Sequence, residues 1–399
     1  MPTPVVLSYG MGVDSTAILL RWLEEPKSRD FDLSDLVIIT AQVGDEWNDT
    51  RRLVEKHILP RLRAKHFRYV QLARGGASDE AGIAVLDDTR SPRRVYTEGG
   101  PRPLSDELLH AGTVPLVRKG GRRCSIKYKG WVIDTWLRKE FGDGKFRQII
   151  GFNADEQFRV ERDQSYTTEA AGSKKARIPL PGRRPEYPLA EWRWGREKVE
   201  SYVKEVAGEA WAKSCCVFCP FQLGNKEERA GGPLPPAVLE RFRKSPCEGR
   251  QALLMEMISV TFNPRSRLFS TSSLIDRLHE AGVVGPEQAL LSSLQRMSWG
   301  IYHLRRIYSA KGRADRSIKL LGIPTDREGA AQILQALADQ AHKKVEPVVF
   351  GSERVTLQRR SEDTFPTTDE YYVLVPAIVK DKAKGTFEAK WEEEEEEEA

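Results

Sequence analysis

Gly10, Gly12, Asp14, Ser15 and Thr16 fall within seven residues, where the apolar run "VVLSYG" passes into "VDSTAILL". A helix that starts at such a turn leaves its first amides unpaired, and its dipole is positive there. Glycine at 10 and 12 lets the main chain come close to a ligand. The turn Gly10-Met11-Gly12-Val13 therefore reads as a phosphate site, with further hydroxyl donors in Ser15 and Thr16. It is not a Walker loop, because no lysine stands beside the Ser or Thr. Nor is it a full dinucleotide fingerprint, since Ser15 stands where G-x-G-x-x-G needs its third glycine. The alternative is a tight turn without a ligand.

A second chemical signal is "SCCVFCPF", which carries Cys215, Cys216 and Cys219, with Cys124 and Cys247 elsewhere. A C-x-x-C can put two thiolates on one ion, and two more complete a four-thiolate site. The ligand set expected is Cys124, Cys216, Cys219 and Cys247, with Cys215 as the alternate. An iron–sulfur cluster, zinc, and uncoordinated or redox-active thiols all stay open as readings. An odd count of five cysteines with no secretory signal points to reduced thiols and a cytoplasmic setting.

The elements that must position these groups can be read from periodicity. Strand-like apolar runs lie at Val5–Ser8, Leu36–Gln42, 67–72 and 148–152, with helical patterns at 15–23, 49–65 and 126–141. Pro26 stops the first helix. Strands alternating with helices imply a parallel sheet with helices on both faces, and ligands then collect at the carboxyl ends of the strands. Residues 74–124, rich in Gly, Pro and Arg, read as an inserted substrate loop. From Trp192 to about residue 340 the pattern is mostly helical, and "VEPVVFG" and "YYVLVPAIV" read as two late strands.

The chain has 399 residues, 40% hydrophobic and 30% charged, which suits a globular protein of two or three domains. The start "MPTPVVLSYG" has neither a signal peptide nor a membrane span. The formal charge of +5 becomes +12 once the seven glutamates at 392–398 are set aside as a solvated, disordered tail. Three basic clusters could track a phosphate backbone: Arg118, Lys119, Arg122 and Arg123; Lys174, Lys175, Arg177, Arg183 and Arg184; Arg305, Arg306, Lys311, Arg313 and Arg316. Solubilising surface charge is the other reading of each. Trp192, Trp194 and Trp211 read as core or nucleobase-pocket aromatics.

Aligned on Asp14 and Ser15, the opening turn resembles the S-G-G-x-D-S loop of the N-type (PP-loop) ATP pyrophosphatases, with Gly10 and Met11 in place of its leading serine and first glycine. Ser8 can supply the missing hydroxyl. "AQVGDEWNDT" is similar to the "DTG…T" segment of phosphoadenylyl-sulfate reductase-like proteins, with Gly44 and Thr50 in comparable places. "RRCSIKYKG" resembles their Cys-then-Lys segment. "IIGFNADEQFRVER" resembles G-x-R-x-x-E-S-x-x-R, with Gly151, Glu156 and Arg159 in register and Asn153 replacing the first arginine. "YPLAEWRWGREKV" is similar to the P-L-x-x-W-x-x-x-x-V run that follows. The resemblance covers about residues 4–225.

It implies an α/β domain of the adenine nucleotide alpha hydrolase-like fold over 1–225, with a parallel five-stranded sheet and flanking helices. A mainly helical C-terminal domain at 226–345, an extension at 346–391 and the acidic tail at 392–399 would follow. It also implies ATP and Mg²⁺, with ATP cleaved between its α and β phosphates to adenylate a substrate. Gly10, Gly12, Val13, Ser15 and Thr16 would hold phosphates, and Asp14 would orient the loop or reach the metal. Lys127, Arg159 and Arg162 would supply positive charge, Asp45 and Glu46 would hold metal or ribose, and Gly151 and Glu156 would complete the site. Relatives that reduce adenylyl sulfate or thiolate nucleic acid carry iron–sulfur clusters, and a [4Fe–4S] cluster is the corresponding expectation. A reductase-type thiol near the C-terminus is excluded, because the last cysteine is Cys247. The activity implied is activation of a substrate for sulfur transfer or a related modification, with DNA or RNA as candidate acceptor, as in DNA phosphorothioation proteins. The alternatives are a sulfonucleotide or small-molecule nucleotide enzyme, and a non-catalytic nucleotide-binding subunit working with partner proteins of a modification or defence complex.

Overall fold

The computed structural model describes residues 3–115, 123–170, 178–223, 232–269, 272–310, 314–361 and 363–398. Arg118, Lys119, Arg122, Lys174, Lys175, Arg177, Lys311 and Arg313 lie outside the described residues. The chain divides into two compact units, Met1–Leu104 with Arg118–Val217, and Ser105–Val117 with Phe218–Ala399. No described helix is long and apolar enough to cross a membrane.

The first unit is built on strands β1 (Val5–Ser8), β2 (Leu36–Gln42), β3 (Arg68–Arg74), β4 (Ile83–Thr89), β5 (Phe146–Ile149) and β6 (Arg183–Glu186), in the order β4-β3-β2-β1-β5-β6. All neighbours pair in parallel except β3 and β4. Alternate residues of β1 serve opposite cores. Val5 and Leu7 pack with Ile18 and Trp22 of α1 (Val13–Glu24), Leu53 and Val54 of α2 (Asn48–His57) and Leu59 of α3 (Leu59–Ala64). Val6 packs on the other side with Val132, Trp136 and Leu137 of α4 (Trp131–Phe141). Burial on both faces is why these strands read as continuous apolar runs.

The sheet has six strands where five were expected, because the 74–124 stretch is not all loop: it supplies β4. That edge strand is only partly buried along its length, so no apolar run announces it. From β1 the chain winds outward through β2 and β3, then returns to lay β5 on the other side of β1. The β1/β5 boundary is thus the switch point of the sheet, where a crevice opens at the carboxyl ends. Helices α5 (Gln157–Ala170) and α6 (Arg196–Ala207) follow β5 and β6.

The second unit is partly sheet, where a mainly helical domain was expected. Helices α7 (Pro236–Lys244), α8 (Pro246–Phe262), α9 (Leu274–Glu280) and α10 (Gly285–Leu294) lead into an antiparallel sheet of order β8-β7-β11-β10-β9. Its strands are β7 (Trp299–Tyr308), β8 (Ala314–Thr325), β9 (Val345–Pro347), β10 (Glu353–Gln358) and β11 (Thr367–Pro376), with α11 (Arg327–Gln340) between β8 and β9. The first two strands carry no clean alternation, since β7 is buried on both faces and β8 mixes charge with apolar residues. The third basic cluster is largely internal to this unit. Arg306 donates to Phe262 O at the end of α8 (2.7 Å) and pairs with Asp369, while Arg354 donates to Thr261 O and Val260 O. Cations at the last carbonyls of a buried helix satisfy groups that the helix cannot. Arg316 donates to Ala111 O, and Arg305 to Glu388. The acidic tail is not disordered at its start: α12 (Phe387–Glu398) is held by buried Phe387 and Trp391 against Ile307, with Arg305 over both rings.

In the first unit, on the α4 face of the sheet, a polar chain runs beside the apolar core. Gln148 Nε2 donates to Ser8 Oγ at 3.0 Å, Arg183 Nε donates to Gln148 Oε1, and Arg183 and Tyr187 both donate to Asp163. Asp134 of α4 faces this group, and burial pushes its carboxyl up to about 7 despite the nearby Arg183 charge. Its ordinary value is 3.8, so between the two values the folded chain holds a proton that the unfolded chain has lost. Stability at this residue therefore falls as pH rises through that window. Asp134→Asn should match wild type in thermal midpoint near pH 4, and its advantage should grow to about pH 7 and then level off. A difference independent of pH in melts across that range would refute the assignment.

Candidate functional site

The switch point is flanked by two turns, β1 to α1 and β5 to α5. In the first, Gly12 caps α1 in an extended conformation without a side-chain cap. The amides of Met11, Gly12, Val13, Asp14 and Ser15 make no hydrogen bond among the described residues, and the first to do so is Thr16, which donates to Gly12 O at 3.1 Å. Met11 has φ +59, in the left-handed region, and its side chain is buried with the sulfur 3.9 Å from Gln42 Nε2. A non-glycine residue held there costs roughly 1–2 kcal/mol and needs surroundings that fix it. The fixing bond comes from Trp211, whose Nε1 donates to Met11 O at 3.0 Å.

The second turn comes within contact of the first. A Cβ on Gly151 would lie 3.0 Å from Ser15 N and 3.3 Å from the Asp14 carbonyl carbon, so only glycine fits without displacing the start of α1. Buried Asn153 donates to Asp14 Oδ1 at 3.0 Å. Arg196, the first residue of α6, donates to Asp14 Oδ2 at 2.9 Å, and its own amide donates to Asp155 Oδ2 at 2.7 Å. Burial, outweighing Arg196 and Asn153, holds the Asp14 carboxyl above its ordinary value, and the charge of Glu156 adds to this. Asp14 thus uses both oxygens to tie the two turns to α6, which fits an orienting role.

Glu46 sits at the end of β2, with Thr50 Oγ1 and the Cys215 amide donating to its Oε1 and Ser214 Oγ 3.0 Å from its Oε2. Burial raises its carboxyl, opposed most by Lys129. Buried Asp45 accepts the Val217 amide on its carbonyl. The segment 211–217 is therefore laid along the end of β2, with Glu46 bridged to Cys216.

The remaining expected residues divide. Gly10, Gly12, Val13, Ser15, Gly151 and Glu156 gather around the crevice with Asp14. Arg159 pairs with Glu156 at 2.7 Å and lies over Phe152, beside the second turn. Ser8 is held by Gln148 on the α4 side. Thr16 lies under the loop, its hydroxyl 3.2 Å from Tyr9 OH, and Ser15 Oγ turns back to Gly12 O, so the main-chain amides and not the hydroxyls form the mouth. Lys127 lies over the Tyr128 ring in a π-helical turn, Ile126–Gly130, and Arg162 is exposed on α5. Trp192 and Trp194 stack about Arg21 at the far end of α1, a packing role. Arg196, Ser214 and Lys129 were missed, and only the G-R opening of a helix in "WGREKV" hinted at the first.

None of the five cysteines is in a disulfide. Cys124, Cys215 and Cys216 belong to the first unit, and Cys219 and the exposed Cys247 to the second. Among the described residues no three His, Cys, Asp or Glu side chains are grouped to hold a metal ion. Mg²⁺ is a different case, since it keeps waters and phosphate oxygens and needs few protein ligands.

Neither a family model, nor a curated protein, nor a solved structure matches the chain.

Gly151→Ala should push the start of α1 out of line and weaken inorganic pyrophosphate binding about tenfold, since small misplacements in a site carry large penalties. Titration calorimetry measures it. Unchanged affinity in the folded variant would remove the α1 terminus from the site.

Proposed function

We propose that the first unit binds ATP with its pyrophosphate end in the cup of amides at 11–15 and cleaves it between the α and β phosphates, as PP-loop ATP pyrophosphatases of the phosphoadenylyl-sulfate reductase-like branch do. The carrying observation is the set of five neighbouring amides without a protein acceptor, at a helix start and a switch point together. An acceptor oxygen attacks the α-phosphorus, the bond to the bridging oxygen breaks, and pyrophosphate leaves bearing the charge. The amides stabilise that charge as it develops, aided by the positive end of α1. Arg196, 44% exposed, is a cation at hand through its bond to Asp14, and Arg159 in the first turn of α5 pairs with Glu156. Mg²⁺ bound with the triphosphate would supply further charge neutralisation, with Asp14 or Asp45 as its nearest carboxylates.

A polynucleotide acceptor has less support than the charge count gave it, because Arg305, Arg306 and Arg316 are engaged inside the second unit. A small-molecule acceptor and a purely binding role are the competing readings. Wild-type protein incubated with ATP and Mg²⁺ should release AMP and pyrophosphate, and comparing reactions with DNA, with RNA and with neither separates the acceptors. Asp14→Ala, which cuts the tie between the two turns, should slow release about 100-fold. Release as fast as wild type would defeat the catalytic reading.

A further inference from the structure

The loop's amides can serve an anion only if its carbonyls point elsewhere, and the loop itself does not guarantee that. In a planar trans peptide the C=O of one residue and the N–H of the next point in opposite directions. With glycine at 10 and 12 the peptide planes on either side of Met11 are free to turn over. Turned over, they would present carbonyl oxygens to a phosphate and repel it.

Two side chains about 200 positions away in sequence prevent this. Ser214 Oγ lies 2.9 Å from Gly10 O and 3.0 Å from Glu46 Oε2; its single proton ties the Gly10 carbonyl when the Glu46 carboxyl, raised by burial, holds its own proton and donates it to Oγ. Trp211 Nε1 donates to Met11 O at 3.0 Å. These carbonyls belong to the two peptides whose amides are those of Met11 and Gly12. Tying each carbonyl to the 211–214 segment aims each amide the other way. The segment is itself anchored. At one end Glu209 accepts from Arg52, Lys56 and His57 of α2, and at the other Glu46 and Asp45 take the amides of Cys215 and Val217.

We infer that Trp211 and Ser214 are positioning residues that set the polarity of the anion cup, and that 209–217 is a strap holding the cup in its binding-competent orientation. The inference rests on the phosphate-loop reading above. It also gives the "SCCVFCPF" segment a role that needs no metal, because Ser214 meets the loop while the amides of Cys215 and Val217 meet the end of β2.

The test measures inorganic pyrophosphate binding to the full chain by titration calorimetry, with thermal melts alongside. Ser214→Ala should weaken binding about tenfold with little change in melting, and Ser214→Thr, which keeps the hydroxyl, should bind as wild type does. Trp211→Phe, which keeps a ring and loses only the N–H, should weaken binding to a similar degree. Should Trp211→Phe fail to fold, the Ser214 pair decides alone, since that side chain is only part-buried. Binding within twofold of wild type in Ser214→Ala overturns the strap's role. Wild-type protein that does not bind pyrophosphate at all overturns the phosphate-loop reading and the inference with it.

Discussion

Five main-chain donors without acceptors among the described residues are the constraint around which the first unit is arranged. An amide left unpaired away from water costs about 1–3 kcal/mol, so the fold tolerates such a row only where solvent or an anion can take it. The row exists because α1 starts abruptly, with glycine at its cap and no side chain to fold back over it. Carbonyls of the loop are tied off around it: Thr40 donates to Tyr9 O, Trp211 to Met11 O and Thr16 N to Gly12 O.

Keeping that row aimed at one point requires stiffness, and the stiffness comes from a carboxylate shared between elements. Asp14 is half-buried and bonded through both oxygens, and Arg196 reaches it from the start of α6 while Asp155 caps the same helix. Gly195 permits this, since a Cβ there would lie 2.9 Å from the Asp155 oxygens. The β1 and β5 turns and α6 are thereby locked into one assembly.

The second unit turns its charges inward. Arg306 and Arg354 satisfy the end of α8, and Glu256 within that helix accepts the amides of Leu268 and Ile275. Basic residues that look in sequence like a nucleic-acid surface are consumed as structural donors. Net charge counts a guanidinium on a buried carbonyl the same as one in water.

The sequence by itself determined the local parts. Strands Val5–Ser8 and Leu36–Gln42, the helix after Gly12 and the glycines of the turn could be read directly, because two-sided burial writes apolar runs and a helix start needs particular residues beside it. Strand β4, the β7–β8 pair and the first turns of α12 could not, because edge position, burial without alternation and two anchoring aromatics leave no period to detect. Only the tertiary structure decided how the loop is held. Trp211 meets Met11 across 200 residues, Ser214 meets Gly10 across 204, and Asn153 meets Asp14 across 139. Such bonds depend on where the sheet order brings distant turns together, and no pattern within a window of sequence records that.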